Sequence, residues 1–165
     1  MSESAASAPS LQERYAPGGI CFGCGPANAK GLRIRSFRRG GDGGGQEEYV
    51  CTFRPEPHHQ AFEGILNGGI IGALLDCHSN WAAAIHFMER AGAQIPPCCV
   101  TAEFHVKLRR PTPIDGDVHL TARIESSEED RAVVVAELEA GGKACATCRG
   151  VFVAVKEGHP AYHRW

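Results

Sequence analysis

The sequence combines a helix start and a carboxylate at a spacing that suits acyl-transfer chemistry. Asn67-Gly68-Gly69 precedes a long apolar segment, and Asp76 and Asn80 follow within it. Asn is a good N-cap, and glycines in the first turn let another group reach the free backbone N–H donors there. These donors and the positive end of the helix dipole can bind an anion or the oxyanion of a tetrahedral intermediate. A carboxylate on the same helix can serve as a base or as a nucleophile.

A helical wheel divides the segment from Asn67 to Met88 into two faces. The apolar face, which should pack on a sheet, carries Ile70, Ile71, Leu74, Trp81, Ile85 and Met88. The opposite face lacks the Lys, Glu and Arg residues that a solvated helix face carries. It consists of Gly69, Gly72, Asp76, Ser79, Asn80 and Ala83. Small residues on this face favour close approach by a second surface, which is either a partner subunit or a bound ligand.

Strands predicted on both sides of this helix indicate the architecture. Apolar and polar residues alternate over residues 32–37 and 48–53, which predicts two strands joined as a hairpin with a glycine-rich tip over 40–45. After the helix, the same alternation predicts strands at 100–108, 118–124, 132–138 and 144–155. One helix among otherwise adjacent strands favours an α+β fold, in which an antiparallel sheet wraps around that helix.

Size and composition restrict the class of protein. The 165 residues amount to one domain, and 43% hydrophobic with 22% charged residues is typical of a folded protein. A net charge of −2 argues against nucleic acid as a partner, because proteins that bind it usually carry a basic excess. No apolar run reaches the roughly 18 residues that span a membrane. No secretion signal is recognisable at the N-terminus, so a cytoplasmic location is expected.

Breaker residues predict the limits of the domain. Residues 1–19 are expected to form a flexible lead, because they end in the proline and glycines at 17–19. Residues 20–157 are expected to form the folded domain. Residues 158–165 are a short tail without a recognisable pattern.

Eight cysteines raise the question of disulfides and metal sites. A chain of this size can build an apolar core without disulfides, and reduced Cys acts as a small hydrophobic residue, so free thiols are expected. Two Cys-x-x-Cys pairs, Cys21/Cys24 and Cys145/Cys148, could together hold a structural Zn²⁺. The first pair resembles a zinc knuckle, but the second lies in a predicted strand, where residues three apart point to opposite faces. No metal site is therefore expected.

Three stretches of the sequence resemble hotdog-fold acyl-CoA thioesterases of the PaaI-like family. The family typically has His-Gly-Gly with an acidic residue nine positions after the His, and residues 62–76 (FEGILNGGIIGALLD) keep that spacing from Asn67 to Asp76. Residues 101–111 (TAEFHVKLRRP) resemble the strand after the helix, and residues 21–32 (CFGCGPANAKGL) resemble the entry to the first strand. The likeness extends over most of the chain.

The resemblance implies an α+β hotdog fold and hydrolysis of an acyl-CoA thioester in a site shared between two subunits. The backbone N–H of Gly68, next to Asn67 as the helix cap, would polarise the thioester carbonyl. The partner subunit's Asp76 would act as a general base on water or as a nucleophile through a mixed anhydride. Asn80 and Thr101 fall where relatives place polar residues that position the attacking water. The expected assembly is a homodimer or a dimer of dimers, and no cofactor is expected beyond the CoA of the substrate.

Further substrate-binding residues are implied next to the helix start. Gly69 lies beside the proposed donor. Relatives often carry a polar residue six positions before Asn67, where this chain has Ala61. Gln60 and His59 are the neighbouring candidates for that role.

Cations near the end of a predicted strand are candidates for binding the phosphates of CoA. These residues are Arg109 and Arg110, with Lys107 and Arg149 nearby. Arg and Lys at the mouth of a pocket offset the charge of nucleotide phosphates. Ordinary surface charge is the alternative interpretation.

Other functions fit parts of the same pattern. A non-catalytic acyl-CoA-binding module of the same fold is the first alternative, and the presence of Asp76 with Asn80 disfavours it. A hotdog dehydratase or hydratase is the second, but the Asp-x-x-x-x-His spacing of such enzymes is absent after Asp76. A zinc-stabilised interaction protein is the third. Asp76 could instead form an ion pair across a dimer, and His78, on the apolar face, is expected to be a hydrogen-bonded core histidine.

Overall fold

Segments that alternate in polarity pair into one antiparallel sheet around a long helix. The structure is a computed structural model that describes residues 8–40 and 46–165. Its helices are α1 (Leu11–Tyr15) and α2 (Gly68–Arg90), and a short 3₁₀ turn spans Pro57–His59. Its strands are β1 (Ser36–Arg39), β2 (Glu48–Phe53), β3 (Gln60–Phe62), β4 (Ile65–Leu66), β5 (Cys99–Leu108), β6 (Val118–Glu128), β7 (Arg131–Ala140) and β8 (Lys143–Ala154).

Six of these strands form the main sheet in the order β1-β2-β6-β7-β8-β5, and every neighbouring pair is antiparallel. Strands β3 and β4 form a small separate sheet ahead of α2. The helix α2 packs against β5, β6, β7 and β8. Alternate residues of the sheet are apolar and fully buried, among them Leu120, Val134, Leu138 and Phe152. The predicted α+β architecture, a sheet around one helix, is confirmed.

The helix α2 begins and ends close to its predicted limits. Leu74, Trp81 and Ile85 of the predicted apolar face are buried. The opposite face is open only in its first half, because Ser79 and Ala83, predicted to lie on the small-residue face, are fully buried. The sheet and the C-terminal residues enclose this second half of the helix. Among the described residues, no helix is both long enough and apolar enough to cross a membrane.

The first strand differs from its prediction. Leu32 and Ile34 are buried and alternate with exposed arginines, but strand pairing begins only at Ser36. The N–H groups of Leu32 and Ile34 donate to carbonyls of the turn at residues 22–23, at 2.7 and 3.1 Å. Arg33 has a φ of 51°, which a regular strand does not accommodate. The alternation therefore predicts correctly that Leu32 and Ile34 are buried. Their N–H groups, however, bond to a turn and not to a neighbouring strand.

Residues 8–19, the described part of the lead predicted over residues 1–19, contain regular structure. The helix α1 forms there, and Ser10 provides a capping box at its start. Gln12 is only 1% exposed. A capped helix with a buried side chain belongs to the folded unit. Residues 1–7, and residues 41–45 of the predicted hairpin tip, lie outside the described residues.

A buried hydrogen-bond network joins α1 to the core. Gln12 accepts from the N–H of Ser36 at 2.8 Å and donates from Nε2 to Ser36 Oγ at 3.0 Å. Ser36 Oγ lies 2.8 Å from His78 Nδ1, and His78 Nε2 lies 3.0 Å from the carbonyl of Tyr49. Because a carbonyl only accepts, His78 donates from Nε2 and accepts at Nδ1. Burial lowers the pKa of His78 to about 4, so the ring is neutral, and the predicted core histidine is confirmed.

The C-terminal residues fold back onto α2. Trp165 stacks on Trp81 with a centroid distance of 4.4 Å, and its Nε1 donates to the carbonyl of Pro96 at 3.1 Å. The N–H of Arg164 donates to Cys98 Sγ at 3.2 Å. These residues, which showed no recognisable pattern in the sequence, therefore pack against the helix-bearing part of the domain.

Candidate active site

The start of α2 leaves one backbone donor free. Asn67 is the N-cap, and its Oδ1 accepts from the N–H groups of Gly69 at 2.8 Å and Ile70 at 3.2 Å. The N–H of Ile71 donates to the carbonyl of Asn67 at 3.0 Å. Within the described part of the chain, the N–H of Gly68 has no acceptor. The predicted donor is therefore available, whereas the N–H of Gly69 is already used by the cap.

The loop before α2 is braced by His59 and Gln60, the two residues predicted to bind substrate there. His59 is buried, its Nδ1 accepts a backbone N–H within the 3₁₀ turn, and its carbonyl accepts from the N–H of Asn67 at 2.9 Å. Gln60 donates from Nε2 to the carbonyl of Pro57 at 2.6 Å and accepts at Oε1 from the N–H of Gly64. The two side chains thus hold the loop in position, and the backbone carbonyl of His59 connects the loop to the helix start.

Asp76 lies on the open half of the small-residue face and is half-buried. Its Oδ1 accepts a hydrogen bond from Thr101 Oγ1 at 2.7 Å. Burial raises the pKa of Asp76 above its usual value, and the hydrogen bond from Thr101 opposes that rise. A carboxylate with one oxygen held by a hydroxyl and partly withdrawn from water is suited to accept a proton or to attack a carbonyl.

A β-bulge in β5 directs Thr101 toward the helix. The register with β8 shifts between Thr101 and Glu103, so that Thr101 lies opposite Phe152 and Phe104 lies opposite Gly150. In a regular strand Thr101 and Glu103 would point to the same face. The bulge separates them, which places Thr101 on the inner face beside Asp76.

Asp76, Asn80 and Thr101 line a cavity of about 500 Å³ beside α2. Asn80 donates from Nδ2 to a backbone carbonyl of β5 at 3.0 Å, and its Oδ1 has no partner among the described residues. The stacked rings of Trp81 and Trp165 form an aromatic wall of the same cavity. Its size falls within the range of small-molecule sites.

The start of α2 lies against the far end of β5. A Cβ atom at Gly68 would come 3.1 Å from Leu108 Cδ1, and one at Gly72 would come 3.9 Å from Phe104 Cε2. Leu108 is 57% exposed and Phe104 is 42% exposed, and β5 is an edge of the described sheet. An unpaired edge strand with exposed apolar side chains, next to small residues on a helix, is a surface that a second chain can cover.

The two predicted catalytic groups do not meet within one chain. Gly68 and Asp76 are eight residues apart on the same helix, which corresponds to about 12 Å along its axis. Reacting atoms must approach to about 3–3.5 Å. If both groups act on one carbonyl, they must therefore come from two chains.

Arg109 lies away from the cavity that Asp76 lines. It borders a depression of about 870 Å³ on the face of the sheet opposite α2, together with Lys107 and Arg149. Arg149 forms an ion pair with Glu125 at 2.6 Å. Arg110 is exposed just beyond the end of β5. Within one chain, neither Arg109 nor Arg110 lines the cavity of about 500 Å³ that Asp76 lines.

Another wall of the cavity consists of three cysteines, of which the sequence had linked only Cys21 and Cys24. Cys21 and Cys24 come from the turn before β1, and Cys77 comes from α2. Their Sγ atoms all lie within 4.8 Å of one another. The pair Cys145/Cys148 is not part of this cluster. Because Cys77 directly follows Asp76 in the sequence, it can be expected near the cavity. Its contact with Cys21 and Cys24 depends on the tertiary fold and could not be predicted from the sequence.

The part of the chain that contains α2 and β5 matches a known protein family. A family model described as the thioesterase superfamily matches residues 63–147, which include Gly68, Asp76 and Thr101. The chain belongs to the thioesterase superfamily. No curated protein matches it.

Solved structures of other superfamily members share the fold. A thioesterase superfamily protein from Shewanella loihica PV-4 is 27% identical, with a TM-score of 0.60, over 79% of this chain and 98% of that one. The PaaI protein from the E. coli phenylacetic acid degradation operon is 17% identical, with a TM-score of 0.62, over 79% and 85% of the two chains. A Haemophilus influenzae thioesterase is 17% identical, with a TM-score of 0.63, over 78% and 84%. The resemblance to hotdog thioesterases and the predicted hotdog fold are confirmed.

Proposed function

We propose that this thioesterase superfamily member hydrolyses acyl-CoA thioesters to a free acid and CoA. The observation that carries the proposal is the free N–H of Gly68 at the start of α2, in a chain whose family model is that of thioesterases. Across a pair of chains, this donor and the partner subunit's Asp76 would face one thioester carbonyl.

The donor would stabilise the charge that develops on the carbonyl oxygen. As the carbonyl carbon becomes tetrahedral, its oxygen gains negative charge, and an N–H at the positive end of a helix is already oriented to receive it. The absence of a side chain at Gly68 lets the substrate come close to the backbone. Asn67 supports this role because it caps the neighbouring N–H groups and leaves that of Gly68 free.

Asp76 would bring about the attack on the carbonyl carbon by one of two routes. As a general base it takes a proton from water, the resulting hydroxide attacks the carbonyl carbon, and the departing CoA sulfur receives that proton. As a nucleophile it attacks the carbonyl carbon itself, CoA leaves, and water then hydrolyses the mixed anhydride. Thr101 orients Asp76 through its 2.7 Å hydrogen bond. Asn80 Oδ1, which has no partner among the described residues, would hold the attacking water in the same cavity.

The active assembly would be a homodimer, or a dimer of dimers, with two shared sites in each dimer. The exposed edge of β5 and the small-residue face of α2 support this proposal, because both are suited to close contact with a second chain. Leu108, which ends β5, lies against Gly68, and Arg109 and Arg110 directly follow Leu108 in the chain. In the dimer these arginines, together with the helix start at Gly69, would face the phosphates of CoA.

The proposed substrate also agrees with the lining of the cavity and suggests the cofactor requirement and the cellular location of the protein. Trp81 and Trp165 give the cavity an aromatic wall that suits an acyl group. The reaction needs no cofactor, because CoA is part of the substrate. We further propose a cytoplasmic location, where acyl-CoA esters are formed and used, with neither nucleic acid nor membrane as a partner.

A panel of acyl-CoA esters with detection of the released thiol tests this function. The protein should release CoA from at least one ester, and Asp76→Asn should lower kcat by about 10²–10⁴-fold, because it removes the base or nucleophile and keeps the side-chain shape. The exposed Asp115→Asn provides the matched control and should retain full activity.

Two results would contradict the proposal. Tight binding of acyl-CoA without turnover by the unmodified protein would favour the non-catalytic module. Equal turnover by Asp76→Asn and Asp115→Asn, with unchanged circular dichroism, would remove Asp76 from the mechanism.

A further inference from the structure

The thiols of Cys21, Cys24 and Cys77 converge from two distant segments. Cys21 and Cys24 flank a tight turn, and Cys77 lies on α2, far along the chain. Cys21 Sγ and Cys77 Sγ are 3.8 Å apart, and all three sulfurs lie within 4.8 Å of one another. In the described part of the chain, no other group of three His, Cys, Asp or Glu ligand atoms is as close.

This spacing matches that of a metal–thiolate centre. A tetrahedral Zn²⁺ with Zn–S bonds of about 2.3 Å separates its sulfur ligands by about 3.8 Å, which follows from the bond length and the tetrahedral angle. A disulfide would instead require two sulfurs at about 2.05 Å. The Cys21–Cys77 separation of 3.8 Å equals that of two ligands around one ion, and Cys24 Sγ lies within 4.8 Å of both sulfurs.

The turn that carries the first two cysteines is built without room for side chains. A Cβ atom at Gly23 would collide with Cys77 Sγ, and one at Gly25 would lie 2.5 Å from the N–H nitrogen of Cys21. The N–H of Gly25 donates to the carbonyl of Cys21 at 2.8 Å, which closes the turn. Glycine at both positions thus lets the turn approach α2 closely enough for the sulfurs to meet.

The surroundings of the sulfurs are those of thiolate ligands. Trp81 donates from Nε1 to Cys24 Sγ at 3.4 Å, a contact that orients the sulfur and stabilises negative charge on it.

We propose that Cys21, Cys24 and Cys77 bind one Zn²⁺ ion through three thiolates, with the fourth coordination position open to the cavity beside α2. Each thiol releases its proton to water as its bond to the metal forms. Asp76 is not among the ligands, because its carboxylate is outside the cluster and its Oδ1 is held by Thr101. The ion would fix the turn against α2 beside the residues of the proposed active site.

The site uses only one of the two cysteine pairs that the sequence offered, Cys21 and Cys24. Cys148 and Cys145 are both buried in β8 and lie outside the cluster. The third ligand comes from α2 instead, and no fourth cysteine reaches the cluster. This arrangement is independent of thioester hydrolysis, so it can be tested without reference to activity.

Metal analysis of the full chain, purified without chelator, tests the site directly. About one Zn²⁺ per chain is expected, and Cys21→Ser, Cys24→Ser and Cys77→Ser should each reduce this content several-fold. Cys98→Ser and Cys145→Ser are matched controls, because they remove cysteines outside the cluster and should keep the metal. An equal loss of metal in the control variants would overturn the proposal.

A second measurement keeps the proposal testable if the variants fail to fold. The unmodified protein, stripped of metal under reducing conditions, is titrated with Cd²⁺ and then with Zn²⁺. One equivalent of Cd²⁺ should produce an ultraviolet thiolate-to-metal charge-transfer band, and Zn²⁺ should raise the unfolding temperature. A reduced, folded protein that takes up neither ion would contradict the site. Mass-spectrometric detection of a disulfide among these three cysteines in freshly prepared protein would do the same.

Discussion

At the scale of single residues, the use of each N–H group at the start of α2 decides what can bind there. Asn67 takes up the N–H groups of Gly69 and Ile70 with its side chain and that of Ile71 with its carbonyl. Of the first four N–H groups of α2, only that of Gly68 has no acceptor among the described residues. The hotdog thioesterases that the sequence resembles typically have a histidine at the position of Asn67. A short amide cap preserves the free donor, because the reacting group is the backbone and not the side chain.

The variant Gly68→Pro isolates this donor. Proline is favoured at the first helical position, and Asn67, with φ −62° and ψ 132°, has the extended backbone that a residue before proline requires. The variant should therefore keep α2 and lower kcat for acyl-CoA by about 10²–10³-fold, because one oxyanion donor is lost. Steady-state thiol release and circular dichroism measure both effects.

Gly68→Ala is the matched control for this substitution. It brings the same Cβ atom toward the flexible end of Leu108, at 3.1 Å, but keeps the N–H. It should lower kcat less than Gly68→Pro does, because it adds the same Cβ atom next to the substrate but leaves the donor in place. If the Pro and Ala variants are equally active, the carbonyl is not held by this N–H.

At the scale of elements, buried polar contacts tie the short α1 to the helix that carries the site. Gln12 bridges α1 to Ser36 of β1, and Ser36 continues the network to His78 of α2. His78 lies two residues beyond Asp76, on the opposite side of the helix. Every polar atom of this network that is buried has a partner, so losing one member leaves others unsatisfied.

Gln12→Ala should lower the free energy of unfolding by about 1–3 kcal/mol, because the N–H of Ser36 then loses its acceptor inside the protein. The exposed Arg14→Ala on the same helix should change it by less than about 0.5 kcal/mol. Urea denaturation of both variants measures the difference. Equal stability of the two would show that α1 does not depend on this contact.

At the scale of the whole molecule, the proposed reaction requires more than one chain. The helix keeps Gly68 and Asp76 about 12 Å apart, and no bend of a regular helix brings them to one carbonyl. The open half of the small-residue face of α2 and the free edge of β5 lie side by side. A second copy that covers both surfaces would bring each donor toward the carboxylate of the other chain.

Complementation between two inactive variants tests the shared site. Asp76→Asn and Gly68→Pro are co-expressed with different affinity tags, and the mixed dimer is purified through both tags. One of its two sites combines the intact Gly68 of one chain with the intact Asp76 of the other, so it should show about half of the unmodified activity.

The parent dimers provide the reference for this experiment, because each carries one defect in both sites. A mixed dimer as inactive as its parents would show that the two groups do not act together across the interface. Size-exclusion chromatography with light scattering confirms that all three samples have the same assembly.

The features predicted correctly from sequence depend on residues close together in the chain. The cap at Asn67 and the apolar periodicity that follows it predict the limits of α2, because helix bonds join residues four apart. Alternation likewise predicts β2 and β5–β8 to within a few residues. It fails at β1, where Leu32 and Ile34 are buried as predicted but bond to a turn. The local sequence pattern predicts which side chains are buried, but it does not predict which segment accepts the backbone hydrogen bonds.

The tertiary structure alone decided which distant residues meet. A bulge in β5, invisible in the alternation, turns Thr101 toward Asp76. The packing of the N-terminal turn brings Cys21 to Cys77, a contact that the sequence analysis, which weighed Cys145 and Cys148 and expected no metal site, did not predict. These contacts join segments far apart in the chain, and their geometry depends on how the sheet closes around α2. Residue types and spacings specify the elements of this protein, whereas the three-dimensional packing of those elements specifies its sites.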